Sequence, residues 1–152
     1  MSRRRKAIAT VELALCLPLL LVLMLGVWEI ARYVEVQQVL NQAAREAGRQ
    51  AAGGGKTADE VQQAVIVFLQ SAGINPANVQ VTITNLANPG NTDPRQASNL
   101  DALEVQIELP FRDVTLSFTS MFIPENAHMR ARTVWRSLRD LPVAVDTNAP
   151  VE

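Results

Sequence analysis

The stretch that decides the fold is the apolar run from Ala7 to Trp28, which reads AIATVELALCLPLLLVLMLGVW. It contains 22 residues, and Glu12 is its only charged side chain. About 20 apolar residues in a helix cross the ~30 Å hydrocarbon layer of a bilayer. A buried helix of a soluble protein is rarely apolar on every face for so long. The run therefore predicts a membrane-spanning helix.

Charge on either side of this run predicts its orientation. Arg3, Arg4, Arg5 and Lys6 precede it, and the next basic residue is Arg32. Basic residues beside a span favour the cytoplasmic side, so we expect the chain after Trp28 to lie outside. A cleaved secretory signal is the alternative, but it requires small residues after the apolar core. The bulky Val27-Trp28 pair followed by Glu29 favours a retained anchor.

Two features inside the run bear on its role. Pro18 and Gly26 weaken a helix, although membrane helices tolerate both, and we expect a mild kink and a close-packing point. Glu12 costs about 2.5–3.5 kcal/mol in a bilayer on insertion scales. Either it reaches the cytoplasmic interface near Lys6, or it has a charged partner. The sequence leaves both alternatives open.

These residues resemble a known family. Basic residues, a small residue and then Glu opening a long apolar helix are similar to the type IV prepilin signal. The fuller pattern resembles the TadE-like branch, pseudopilins of the Tad (Flp) pilus system, whose motif reads A-x-V-E-F-A-L-x-L-P, an apolar run, then G-x-x-E-x-x-R. Ala7 stands where glycine is usual, and Leu13 where an aromatic is usual. The matching positions are Ala9, Val11, Glu12, Ala14, Leu15, Pro18, Gly26, Glu29 and Arg32.

The resemblance implies a location, a processing step and partners. It places the chain in the bacterial inner membrane, with the C-terminal domain outside or in an extracellular pilus. It implies that a prepilin peptidase cuts between Ala7 and Ile8, and that Glu12 meets a neighbour's N-terminal amine. The implied partners are membrane lipid, other pilin-like subunits, the peptidase and the Tad inner-membrane assembly machinery, without a cofactor.

Helical propensity continues beyond the span to Ala52, which would make a helix about 70 Å long from Ala7. Val36, Leu40, Ala43 and Ala47 form a narrow apolar stripe that packs either on this chain's own domain or on a partner. Three glycines, residues 53–55, end this helix. Gly55-Lys56-Thr57 resembles the end of a phosphate-binding loop, but Gln50 stands where that loop requires its first glycine.

A second helix and a small sheet are predicted to follow. Thr57 and Glu60 form a capping box, and the apolar face behind it comprises Val61, Ala64, Val65, Phe68, Leu69 and Ala72, with Gly73 ending the helix. Apolar and polar residues alternate over 79–84, 103–109 and 129–136, which predicts three antiparallel strands with one wet face. The acidic face of the second strand and the basic face of the third are expected to pair.

The sequence thus predicts an α+β fold. We expect a basic cytoplasmic leader at 1–7, a transmembrane helix at 8–30, a helical stalk with a glycine hinge at 31–55, an extracytoplasmic α+β domain at 56–140 and a flexible tail at 141–152. Residues 85–100 are predicted to form a long polar loop. Residues 115–123 are an apolar connection, suited to a short helix or a partner-facing patch.

Few residues in the sequence suggest a catalytic or metal-binding role. His128 is the only histidine and Cys16 the only cysteine, so neither an internal disulfide nor a zinc site of ordinary composition is expected. Asp93 and Asp101 lack the spacing of a calcium loop. The net charge of -1 and the arginines near the C-terminus, without interleaved aromatics, do not indicate nucleic-acid binding. No catalytic, metal or cofactor residue is predicted. The resemblance favours a pilus assembly component over a membrane-tethered binding module, and the lack of such residues ranks an anchored enzyme below both.

Overall fold

The computed structural model describes residues 2–115, 124 and 126–138, with only the backbone at residues 2–7 and 9. Its elements are α1 (Ser2–Ala52), α2 (Ala58–Ser71), β1 (Gln80–Asn85), β2 (Ala102–Pro110) and β3 (His128–Arg136). The predicted α+β class, with a long apolar helix, a second helix and a three-stranded antiparallel sheet, is confirmed. The predicted tail at 141–152 and the apolar residues 116–123 lie outside the described residues.

Helix α1 has 51 residues and continues through Pro18 without a break in its assignment. At 1.5 Å per residue it is about 77 Å long. Its C-terminal part is buried by the rest of the chain, as the near-zero exposure of Val36, Leu40, Ala43 and Ala47 shows. The apolar stripe therefore packs on this chain's own domain, which decides between the two packings that the sequence left open.

The closest approach between α1 and the sheet is at Gly48. A Cβ built there would overlap the indole ring of Trp135 and lie 2.9 Å from Thr133 Cγ2. Both residues belong to β3. Because any side chain at position 48 would push β3 away, glycine is what permits this helix and this strand to pack so closely.

Helix α2 is fixed at both ends. The predicted capping box is present, since the Glu60 amide donates to Thr57 Oγ1 (3.1 Å) and the Thr57 amide donates to Glu60 Oε2 (2.7 Å). At the other end Gly73 has φ +74°, and the Ile74 amide donates to the Leu69 carbonyl at 3.0 Å. This is the Schellman arrangement, in which a left-handed glycine reverses the chain.

One face of α2 packs into the core through Val61, Val65 and Leu69. Ala64 and Phe68 are half-buried beside them. Ala72 was predicted on the same face, but that prediction was wrong. It is exposed because the helix has already ended, and Ala72 occupies the C-cap.

The sheet has the order β1-β2-β3, and both pairings are antiparallel. Its inner face, which includes Val105 and Ile107 at 0% exposure, packs on the two helices. Its outer face carries the predicted charge pairs. Arg130 Nε lies 3.0 Å from Glu108 Oε1, and Arg132 Nη2 lies 2.5 Å from Glu104 Oε2. The pairing of an acidic strand with a basic one is thereby confirmed.

The loop between β1 and β2 is more ordered than its polar composition predicts. Asn85 was expected to begin this loop, but it is the buried last residue of β1. Its Nδ2 donates to Asp101 Oδ2 (2.8 Å), while its Oδ1 accepts from the Ala87 amide (2.9 Å). Further along, a 3-10 turn at Pro94–Gln96 and the following Ala97 are tucked against the core.

Candidate functional site

The first half of α1 exposes nearly all of its apolar surface. Its large apolar side chains from Ile8 to Val27 are 38–75% exposed. By length and composition this is a helix able to cross a membrane, and none of its most apolar window is buried by the rest of the described chain. Such a surface is stable only against lipid or against other apolar helices.

Glu12 lies within this surface and is itself exposed on the helix. Ile8 precedes it by four residues, so the two lie on one face about one turn apart. Gly26 follows by 14 residues, close to four full turns, and therefore lies near the same face. A Cβ at Gly26 would meet no atom of the described residues within 4 Å. This open face is where another helix can come close to the carboxylate.

The remaining motif residues lie in other surroundings. Pro18 is exposed within the span, and Ala7 lies in α1 with its side chain outside the described atoms. Glu29 is half-buried, and Arg32 Nη1 bonds Glu35 Oε2 at 3.0 Å. Because Glu29 is 17 residues from Glu12, about 25 Å along the helix, the fold does not bring the two together. The motif is thus divided between the span and the base of the exterior domain.

The exterior domain first meets α1 at the end of the span. The ring of Phe111, just after β2, packs edge-on against Tyr33, with 5.5 Å between centroids and 80° between planes. Val114 and Thr115 line a cleft with Trp28, among other α1 residues. Sequence reasoning did not predict the contact between Phe111 and Tyr33, because two residues 78 positions apart leave no local pattern.

A second groove, open to solvent, runs between the outer faces of α1 and α2 over an apolar floor of Ala64, Val67 and Phe68. Glu46 on its rim accepts bonds from Arg49 Nη2 (2.6 Å) and Gln50 Nε2 (2.7 Å). These bonds, Arg49 first, lower the pKa of Glu46 to about 2. The carboxylate is ionised and already paired at neutral pH, so it is poorly suited to proton transfer there.

The residues weighed for metal chemistry have structural roles. Asp93 Oδ1 accepts the Arg95 amide (3.0 Å) and begins the 3-10 turn. Asp101 accepts from Asn85 and from the Ser98 amide, and these bonds lower its pKa. His128 is exposed at the start of β3. Within the described part of the chain, no three His, Cys, Asp or Glu side chains converge as a metal site would require.

Comparison with known protein families gives a match for the first third of the chain. Residues 7–49 match the family model TadE, described as TadE-like protein, and this confirms the resemblance over that segment. No curated protein and no solved structure gives a significant match. The matched segment ends just beyond Gly48, so it contains the whole span and most of the packed part of α1. The apolar helix and this match together fit a single-pass membrane protein.

Proposed function

We propose, on the premise that residues 7–49 are TadE-like, that this chain is a pseudopilin and a structural or assembly component of a Tad pilus or related filament. Its role in this proposal is to pack against other pilin-like subunits rather than to catalyse a reaction. It is held in the bacterial inner membrane, with the sheet outside, until the Tad assembly machinery takes it up.

The observation that carries the proposal is Glu12, exposed on an otherwise apolar span. A carboxylate in hydrocarbon costs about 2.5–3.5 kcal/mol on insertion scales and is usually paired. Among the side chains that the structure describes, which do not include those of Arg3 to Lys6, Glu12 makes no ion pair. A partner supplied by a second subunit accounts for both the exposed carboxylate and the apolar surface around it.

In the proposed assembly this partner is a neighbour's N-terminal amine, as the TadE-like resemblance implies. Cleavage after Ala7 would create that amine at Ile8 and remove the four N-terminal basic residues. A buried amine and carboxylate neutralise one another in a low dielectric and fix the register between two helices. Gly26, near the same face and with open space where a Cβ would lie among the described residues, leaves room for the neighbouring helix.

The proposal predicts opposite effects of Glu12→Ala on insertion and on assembly. Loss of one member of a buried pair costs on the order of 3–5 kcal/mol, so subunit association should fall on the order of 10²–10³-fold. Insertion should improve, because alanine replaces a carboxylate in hydrocarbon. The measurement is copurification of tagged and untagged copies at matched membrane abundance, with the peptidase present. Glu12→Gln should be intermediate.

Glu35→Ala is the matched control, since it removes an exposed carboxylate of the same helix beyond the apolar run. It should leave copurification unchanged. Equal recovery of the native and Glu12→Ala chains would mean that Glu12 reaches the interface as a monomer. That result would favour the alternative function, a membrane-tethered binding module that does not polymerise.

A further inference from the structure

The sheet has a defined end nearest the bilayer. β3 runs along α1 in the same direction, because Gln37 Nε2 donates to the Arg130 carbonyl (2.8 Å) and the Leu138 amide to the Ala52 carbonyl (2.9 Å). β2 is antiparallel to β3, so β2 ends where β3 begins. Both of these strand ends lie toward the apolar half of α1. The residues that leave β2 therefore extend toward the membrane.

The rise of the helix gives the height of this end above the hydrocarbon. The apolar run ends at Trp28, and Tyr33, which contacts Phe111, is five residues further, or about 7.5 Å. A bilayer measures about 40–45 Å with headgroups and ~30 Å without, which leaves about 5–8 Å of headgroup layer on each side. The contact between Tyr33 and Phe111 therefore lies at about the outer edge of the headgroup layer.

The chain descends further after Phe111. Val114 and Thr115 line their cleft with Trp28 and Ala31, which are lower on the helix than Tyr33. Trp28 and Tyr33 remain 51% and 43% exposed, and Arg112, which follows Phe111 in the chain, is exposed as well. Tryptophan and tyrosine are enriched at membrane interfaces, and arginine extends its charge toward the headgroups while its stem stays apolar.

We propose that this end of the exterior domain, formed by Trp28, Tyr33 and residues 111–115, is seated in the phospholipid headgroup layer. The membrane then contacts the domain at two places, the span and the segment after β2, which fixes the orientation of the sheet. Acidic Asp113 and Glu35 accompany Arg112 and Arg32, so aromatic partition rather than anionic lipid drives the contact. The inference rests on the membrane span and not on filament assembly.

A lipid-borne quencher tests this with the full chain. In a Cys16→Ser background, Arg112→Cys carries a fluorophore, and the protein is reconstituted in phosphatidylcholine vesicles containing a nitroxide-headgroup phosphatidylcholine. The Arg112 label should lose most of its emission. The control label at Asn99→Cys lies at the opposite end of the sheet, near Ala52 and about 36 Å along the helix from Trp28, and should keep its emission. Ala77→Cys gives a second reporter beside Asn78, which bonds Asp113 at 2.9 Å.

Quenching by aqueous iodide distinguishes a label that is exposed to water from one that is covered by protein. A label at Arg112 that iodide quenches fully and the lipid nitroxide does not would show that the domain stands clear of the bilayer. A label that neither reagent quenches would show that protein, such as a second copy, covers this end. If the labels at Arg112 and Ala77 both give the first of these results, or both give the second, the proposal is overturned. Equal recovery of the native and Glu12→Ala chains, which would contradict the proposed function, would leave this test unaffected, so the failure of one proposal is distinguishable from the failure of the other.

Discussion

At the scale of single residues, Gly48 sets the distance between α1 and β3. The indole of Trp135 occupies the space that a side chain at position 48 would need, and Thr133 closes the other side. Gly48 is buried in a helix, where glycine is less favourable than alanine by roughly 0.8–1 kcal/mol. The close packing of helix on strand offsets this cost.

Gly48→Ala should lower the free energy of unfolding by about 1–3 kcal/mol, because the added methyl group overpacks the contact with Trp135. Urea unfolding of the full chain in detergent, followed by circular dichroism, measures the loss. Gly53→Ala is the control, since its Cβ would lie 3.5 Å from the Gln50 carbonyl, an ordinary contact. Adding Trp135→Leu to Gly48→Ala should recover part of the stability. Strict additivity of the two substitutions would contradict the steric explanation.

This contact also shows what sequence reasoning could not reach. Gly48 lies in a run of good helix formers, and Trp135 lies 87 residues away in a strand. No local sequence pattern around either residue predicts the contact between them. The same holds for Leu100, whose φ of +64° places a non-glycine residue in the left-handed region. Its amide donates to the Ser137 carbonyl (2.9 Å), a partner that only the assembled sheet supplies.

At the scale of elements, local patterns were sufficient wherever a local interaction defines the element. The capping box at Thr57 and Glu60 and the stop at Gly73 depend on residues within one turn, and both are present. The alternation 103–109 predicted which face of β2 is buried, because the period of a strand fixes its faces. The partner of the α1 stripe was not predictable, since an alanine-rich face fits any close neighbour.

Thr57→Ala should lower the free energy of unfolding by about 1 kcal/mol, because the Glu60 amide loses its acceptor at the first turn of α2. Hydrogen exchange should quicken most in residues 58–61. Gln62→Ala, an exposed position on the same helix, is the control and should leave both quantities nearly unchanged. Faster exchange spread evenly over the sheet would mean that the cap stabilises more than α2.

At the scale of the whole molecule, one helix provides both the candidate membrane span and part of the core of the α+β domain. The TadE-like match covers most of this helix and ends before α2 and the sheet. The family match thus lies on the element that meets other subunits under the proposed function. The sheet lies outside the matched segment and is attached to the C-terminal half of that helix.

Processing is predicted at the junction of leader and span. Coexpression with a prepilin peptidase should remove residues 1–7 and leave Ile8 at the N-terminus, as intact-mass spectrometry would show. Ala7→Glu should block cleavage without preventing insertion, because a bulky anion replaces the small residue at the cut. Ser2→Glu adds the same charge away from the cut and should still be processed. A native chain that stays full length beside active peptidase would argue against the pseudopilin role.

The continuity of α1 has a mechanical consequence. Val36 and Leu40 are buried in the core only eight and twelve residues after Trp28, and the helix between them is unbroken. A force that draws the anchor along its axis therefore acts directly on the sheet, with no slack segment to extend first. An axial step of one residue lifts the exterior domain by about 1.5 Å and, if it follows the helical screw, turns it by about 100°. A force that extracts the anchor along this screw therefore also determines the height of the domain above the bilayer and its rotation about the helix axis.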